Sequence, residues 1–176
     1  MQINYNNHEG KVTNAFDSSY VNIYFTPNLR KYDSASSMGF PVAFINIPVR
    51  TSNYEISDEF GSSCTSKITV SIYIFSVTLN GHYSLKKIRT DIICANRTID
   101  SKSFREDNYT FNNQKHVYLN PPIKISRGDA LKTYCEYDTS NSDKSVRGGE
   151  ASTDEMCYSF INFYPRERGP SLCVGR

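Results

Sequence analysis

Residues 68–79 read Ile-Thr-Val-Ser-Ile-Tyr-Ile-Phe-Ser-Val-Thr-Leu, and this run limits the fold more than any other stretch of the chain. β-Branched and aromatic side chains are restricted at χ1 and pack well on a pleated surface, so the run is a strand rather than a helix. On such a strand Ile68, Val70, Ile72 and Ile74 share one face, and Tyr73, Phe75, Val77 and Leu79 share the other. Apolar side chains on both faces predict a strand covered from both sides.

Shorter runs of the same character recur: Tyr20–Phe25, stopped by Pro27, and Phe40–Ile47, ended by Pro48, then Ile88–Cys94, His116–Leu119, Ile123–Ser126, Ala130–Tyr137 and Met156–Tyr164. Asn, Ser, Asp, Gly and Pro separate them, which is the chemistry of turns. A helical period is hard to find, and Ala and Leu are scarce. Short strands at fairly regular spacing predict an all-β sandwich or barrel. The expected form is an antiparallel, jelly-roll-like β-sandwich of about eight or more strands, with residues 1–176 as a single domain. The polar loop from Asp138 to Thr153, with Gly148-Gly149 inside it, is long for a hairpin. Loops of that length in compact domains are often functional.

Only 38% of the residues are apolar, but aromatic residues make up 13%, enough to build a core on rings in the absence of Trp. A net charge of +2 gives no field that points to nucleic acid or to an acidic membrane. The apolar runs are too short and too interrupted for a transmembrane helix. There is no Gly-x-Ser-x-Gly elbow near His8, His82 or His116, and no Gly-rich phosphate loop, which argues against a hydrolase and a nucleotide-binding enzyme. A carbohydrate-binding sandwich would rest on fold class and abundant Tyr alone, and fold does not give function.

The five cysteines, Cys64, Cys94, Cys135, Cys157 and Cys173, include no Cys-x-x-Cys pair and no zinc spacing. Two Asn-x-Thr triplets, at Asn96 and Asn108, are candidate glycosylation sites. Residues 1–7 lack a basic cluster followed by an apolar stretch, so they are not a secretory signal. Together these features suggest a domain cut from a longer chain that is secreted or in a vesicle lumen, with its signal upstream. The alternative is a reduced cytosolic protein with five thiols.

The most informative text begins at Ile125. Arg127-Gly128-Asp129 is a turn feeding a strand that carries Cys135, and after the Gly148-Gly149 loop Asp154-Glu155-Met156-Cys157 opens an aromatic run ending in Tyr164-Pro165. This resembles the C-terminal domain of the copper type II, ascorbate-dependent monooxygenases, the family of dopamine β-monooxygenase and the peptide-amidating hydroxylase. The resemblance extends over almost the whole chain: Tyr5-Asn6-Asn7, Asp17-Ser18-Ser19, Ile23-Tyr24-Phe25-Thr26, Leu29-Arg30, Ile47-Pro48, Cys64-Thr65 and the stretch Asp107–Gln114. It is closer to the dopamine branch.

The resemblance implies an oxygen-activating copper held by a His-x-His pair and a Met, with ascorbate as the electron donor through a second, preceding copper domain. Residues i and i+2 of a strand face one way, so two imidazoles can bind one ion, and a thioether favours Cu(I). By position His82 is the second histidine and Met156 the methionine, while Asn80 stands where the first histidine belongs. An amide oxygen is a poor match for Cu(I). Taken without the resemblance, His82 is a polar residue at a strand end and Met156 fills core space. The substrate pocket would include Tyr158 and Phe160, and Phe160 lacks the hydroxyl that the family carries there.

The same resemblance implies bridges Cys135–Cys157, beside Met156, and Cys64–Cys173, leaving Cys94 unpaired because Phe60 stands where the dopamine branch often has a cysteine. Two functions follow as expectations. One is the catalytic-copper domain of a hydroxylase acting on a small amine-type molecule, inactive alone for want of one ligand and of the electron-supplying domain. The other is a non-catalytic binding module descended from that family.

Overall fold

The computed structural model describes residues 10–11, 13–39, 45–94, 97–167 and 172–173, with the side chains of all these except 37–39, 60, 97–103 and 172–173. The chain divides into two units, Met1–Arg30 and Lys31–Arg176. In the first unit the described residues form no strand, and Phe16, Tyr20, Ile23, Tyr24, Phe25 and Leu29 are exposed. The expected strand Tyr20–Phe25 is therefore not formed. Its alternation has no ladder partner among the described residues to complete it.

The second unit is almost entirely β, in antiparallel sheets, as the run composition predicts. One sheet has the order β11 (Leu172–Cys173), β1 (Ala35–Gly39), β10 (Cys157–Tyr164), β4 (Ile72–Gly81) and β7 (His116–Ile125). The other has the order β3 (Tyr54–Phe60), β8 (Ala130–Tyr137), β5 (Leu85–Cys94) and β6 (Arg97–Glu106). Among the described residues the one parallel ladder between strands is β1 with β11. A short pair, β2 (Asn46–Ile47) with β9 (Val146–Arg147), pins the long loop after β8 back onto the molecule. Thr139 adds to that anchor through its hydroxyl, which donates to the Pro48 carbonyl at 2.6 Å. Of the predicted run Phe40–Ile47, Asn46 and Ile47 form β2, and residues 40–44 lie outside the described residues.

The core lies where the sheets face each other. Ile72, Ile74 and Val77 of β4, Ile161 of β10 and Ile125 of β7 meet Ile92, Phe104 and Leu131 of the opposing sheet. A second cluster, with Ile47, Leu85, Ile88, Tyr137, Cys135 and Cys157, continues the core toward the β4–β5 turn. Fully burying a side chain of this size stabilises by about 1.5–3 kcal/mol. The Cys135–Cys157 disulfide crosses from β8 to β10, with Cα atoms 6.0 Å apart, and so ties one sheet to the other.

β4 differs from its sequence reading in one respect. Ser76 pairs with Asn162 and Ile74 with Phe163, so Phe75 is an extra residue in the ladder, a β-bulge. The bulge shifts the alternation by one. Val77 joins Ile72 and Ile74 in the core, whereas simple alternation puts it on the face of Tyr73 and Phe75. Ile68 and Val70 precede the strand, and Val70 is exposed. The rings on the other face of β4, Tyr73 and Phe75, gather with Tyr32 around Tyr164.

The runs His116–Leu119 and Ile123–Ser126 are one strand, not two. Pro121 and Pro122 interrupt the apolar pattern but not the strand, because β7 is the last of its sheet and proline is tolerated on an edge. β3 and β6 escaped the sequence reading. Their residues Tyr-Glu-Ile-Ser-Asp-Glu-Phe and Arg-Thr-Ile-Asp-Ser-Lys-Ser-Phe-Arg-Glu are largely polar.

Candidate metal centre

The end of β4 and the start of β10 lie side by side, Asn80 opposite Tyr158 and Gly81 opposite Cys157. This register brings Asn80 to Met156: the amide Nδ2 lies 3.9 Å from the thioether Sδ. Tyr158 and Phe160 follow on the same strand with ring centroids 5.5 Å apart. Both rings are half-buried, and burial raises the Tyr158 hydroxyl above its ordinary pKa, with Glu150 adding to the shift.

His82 follows β4 directly and is buried. Its Nδ1 lies 2.8 Å from the carbonyl oxygen of Asp154, a contact that makes Nδ1 the protonated nitrogen and leaves Nε2 as the imidazole's donor atom. The ring meets Phe111 edge-on, with centroids 5.4 Å apart. Tyr83 packs against the same Phe111.

Between Asn80 and His82 the chain is clamped at Gly81. The Tyr109 hydroxyl donates to the Gly81 carbonyl at 2.7 Å and accepts the Gly81 N–H at 2.9 Å. A Cβ on Gly81 would run into the Leu85 side chain and come within 2.9 Å of the Met156 carbonyl oxygen, so only glycine fits. The Met156 carbonyl is itself held by the buried Tyr137 hydroxyl at 2.8 Å. Burial pushes the Tyr137 hydroxyl far above its usual range.

The sequence reading missed Glu155. Its side chain is buried, and its carboxylate accepts the N–H groups of His82 at 2.9 Å, of Ser84, and of Met156 at 3.3 Å. Burial raises the Glu155 carboxyl above the ordinary range, and the three N–H donors oppose that shift. One buried acid thus fixes the turn that bears His82 to the segment that leads through Met156 into β10. A signal was available: Glu155 is in phase with Cys157, Ser159 and Ile161, the inward positions of β10.

The sequence profile of the C-terminal domain of copper type II ascorbate-dependent monooxygenases matches residues 39–175. The chain belongs to this family. It is 31% identical over 94% of its length to MOXD1 homolog 1 of Drosophila melanogaster, covering 24% of that protein. It is 26% identical to dopamine beta-hydroxylase of Canis lupus familiaris and 29% identical to tyramine beta-hydroxylase of Caenorhabditis briggsae, in each case over 94% of this chain, and covers 27% and 28% of them. It therefore spans about a quarter of the length of these relatives.

Membership in the copper monooxygenase family implies a metal, and the donors at this position decide whether it fits. The donors that the resemblance assigns are one imidazole nitrogen, of His82, and one thioether, of Met156, and at the third assigned position the Asn80 amide N–H group points at the sulfur. Among the described residues no three His, Cys, Asp or Glu side chains are grouped so as to hold a metal ion. That set does not fit a three-donor Cu(I) site. His116 is placed elsewhere: it is exposed on β7 opposite Thr78, with its ring against the Thr78 hydroxyl and edge-on to Tyr118.

Of the cysteines, Cys135 and Cys157 are bridged beside Met156, Cys64 is also disulfide-bonded, and Cys94 is free. The side chain of Cys173 lies outside the described residues, as does Asn96, whereas Asn108 is exposed. Among the described residues no helix is long and apolar enough to cross a membrane.

Proposed function

We propose that this chain is an oxygen-activating copper domain by descent, with a metal position weakened so far that the chain by itself does not sustain hydroxylation. The Asn80–Met156 contact carries this reading, because an amide N–H occupies the neighbourhood of the sulfur where a second imidazole belongs. His82 favours a residual affinity for copper, since its Nδ1 contact with Asp154 leaves Nε2 as a donor. His82 and Met156 are the ligands we assign, with Asn80 as the degenerate third position. Bound copper would supply the oxygen chemistry of the family, with ascorbate as the source of electrons. The chain's own part is to hold His82 through Glu155 and Asp154, and to hold Gly81 through Tyr109.

Two relatives are named for hydroxylating dopamine and tyramine, both phenylethylamines. An amine of that class against Tyr158 and Phe160 is the small molecule we propose for this face. A binding module with the same scaffold is the second reading, and the phenylalanine at position 160, which offers no hydroxyl to a substrate, favours it. A secreted or vesicular setting agrees with the disulfides, and glycan on Asn96 and Asn108 would follow from it. Cys64 with Cys173 remains the second bridge we assign.

Incubation of the chain with Cu(I), ascorbate and tyramine, with hydroxylated product followed by mass spectrometry, tests the proposal. No product above that of free copper is expected. A sustained rate above that level would refute it. Copper titration read by X-ray absorption separates the two readings: a sulfur scatterer would place Met156 on the metal, and no saturable binding would leave the binding module.

A further inference from the structure

On β4, Val77 and Leu79 alternate with Thr78 and Asn80 and so look away from the candidate metal centre. They look into a cavity of about 270 Å³ between β4, β6 and β7. Its walls are Val77, Leu79, Phe104, Val117, Leu119 and Tyr109. The cavity exists where the sandwich is least closed, since β6 and β7 are each the last strand of their sheets.

Size and lining define what fits. A dry apolar cavity of about 150 Å³ already takes benzene, so this one has room for a two-ring frame. Phe104 and Tyr109 provide ring faces and edges for aromatic packing. The charges at the rim are balanced in pairs: Lys115 Nζ lies 2.9 Å from Glu106 Oε2, and Arg105 Nη2 lies 2.7 Å from Asp107 Oδ1. An ionised ligand would have to break one of these pairs. Asn113 offers a side-chain amide that can donate and accept. The Tyr109 hydroxyl is committed to Gly81.

We propose that this cavity is a binding site for a small neutral aromatic molecule, one or two fused rings with at most one hydroxyl or amide group. It is distinct from the Asn80–Met156 position and lies on the other face of β4.

The test uses the whole chain with 2-naphthol as probe, followed by methyl and amide NMR. Saturable binding is expected, with the largest shifts at the methyl groups of Val77, Leu79, Val117 and Leu119. Leu119→Trp fills the space and weakens binding by roughly tenfold or more. Tyr118→Ala, on the outward face of β7, changes it by less than about twofold. 2-Naphthalenesulfonate, the same rings with an anion, binds roughly tenfold more weakly because its charge is left unpaired. If Leu119→Trp fails to fold, Val117→Trp at the exposed mouth makes the same test. Absence of saturation, shifts centred on Tyr158 and Phe160, equal binding of the sulfonate, or wild-type affinity in a folded tryptophan variant would each overturn the proposal.

Discussion

Glu155 holds His82 by its backbone rather than by its ring: Oε2 accepts the His82 N–H at 2.9 Å, while the imidazole Nδ1 pairs with the neighbouring Asp154 carbonyl. Two adjacent residues of one segment therefore fix both the position and the tautomer of one histidine.

Glu155→Gln keeps the shape but removes one acceptor oxygen and brings an NH₂ group against the N–H donors of the turn. A loss of about 2 kcal/mol is expected, in the range for hydrogen bonds to a charged group. Urea unfolding monitored by circular dichroism measures it, and an unchanged midpoint would show that water replaces the carboxylate in this turn.

Asn80→His restores the imidazole. With Met156 already 3.9 Å from the Asn80 amide, Cu(I) affinity should rise by about tenfold or more. Competition against a chromophoric Cu(I) chelator gives the number. The same affinity in both proteins would mean that the surrounding pocket has closed.

Gly81→Ala places a methyl group 2.9 Å from the Met156 carbonyl oxygen, which is backbone and cannot swing aside. Overpacking of this kind costs about 1–3 kcal/mol. The variant should unfold at lower urea and broaden the His82 ring resonances, and a wild-type melting curve would contradict the clamp drawn at Gly81.

Tyr109→Phe deletes the hydroxyl that both donates to and accepts from Gly81. The loss should be about 1–3 kcal/mol, the cost of leaving buried polar groups short of a partner. Hydrogen exchange at the Gly81 amide should quicken in step with it.

The Cys135–Cys157 bridge closes a separation of 22 residues, which in the chain-entropy model is worth about 3 kcal/mol. Cys135→Ala with Cys157→Ala should lower stability by about that amount at equal fold. Full reduction of the wild-type chain should add two hydrogens for each of two bridges, one at Cys135–Cys157 and one at Cys64, with Cys94 reactive beforehand. A smaller mass gain would remove the second bridge.

What was legible in the letters was local. Ala130–Tyr137 is the strand its run predicts, end for end, with β3 paired along its whole length on one side and β5 on the other. Val77 departs from simple alternation because the extra residue at Phe75 is set by pairing with β10, a long-range event without a local signature. Tyr20–Phe25 has the composition of a strand, but composition supplies no partner. At the candidate centre, the resemblance names Asn80, His82 and Met156, whereas the register that sets the Asn80 amide beside the Met156 sulfur is a long-range pairing of β4 with β10 that the letters do not carry. Glu155 was not legible either, since a carboxylate in the text does not announce that its charge will be spent on backbone N–H groups.

The bulge at Phe75 has a reach beyond its own residue. Two residues there face one on β10, so the strand carries one position of slack. Deleting Phe75 would leave a regular ladder, with Leu79 still directed to the interior and the amide at position 80 still outside; adding a residue without a second bulge would turn that order over. This corner of the molecule forgives a change of length in one direction only.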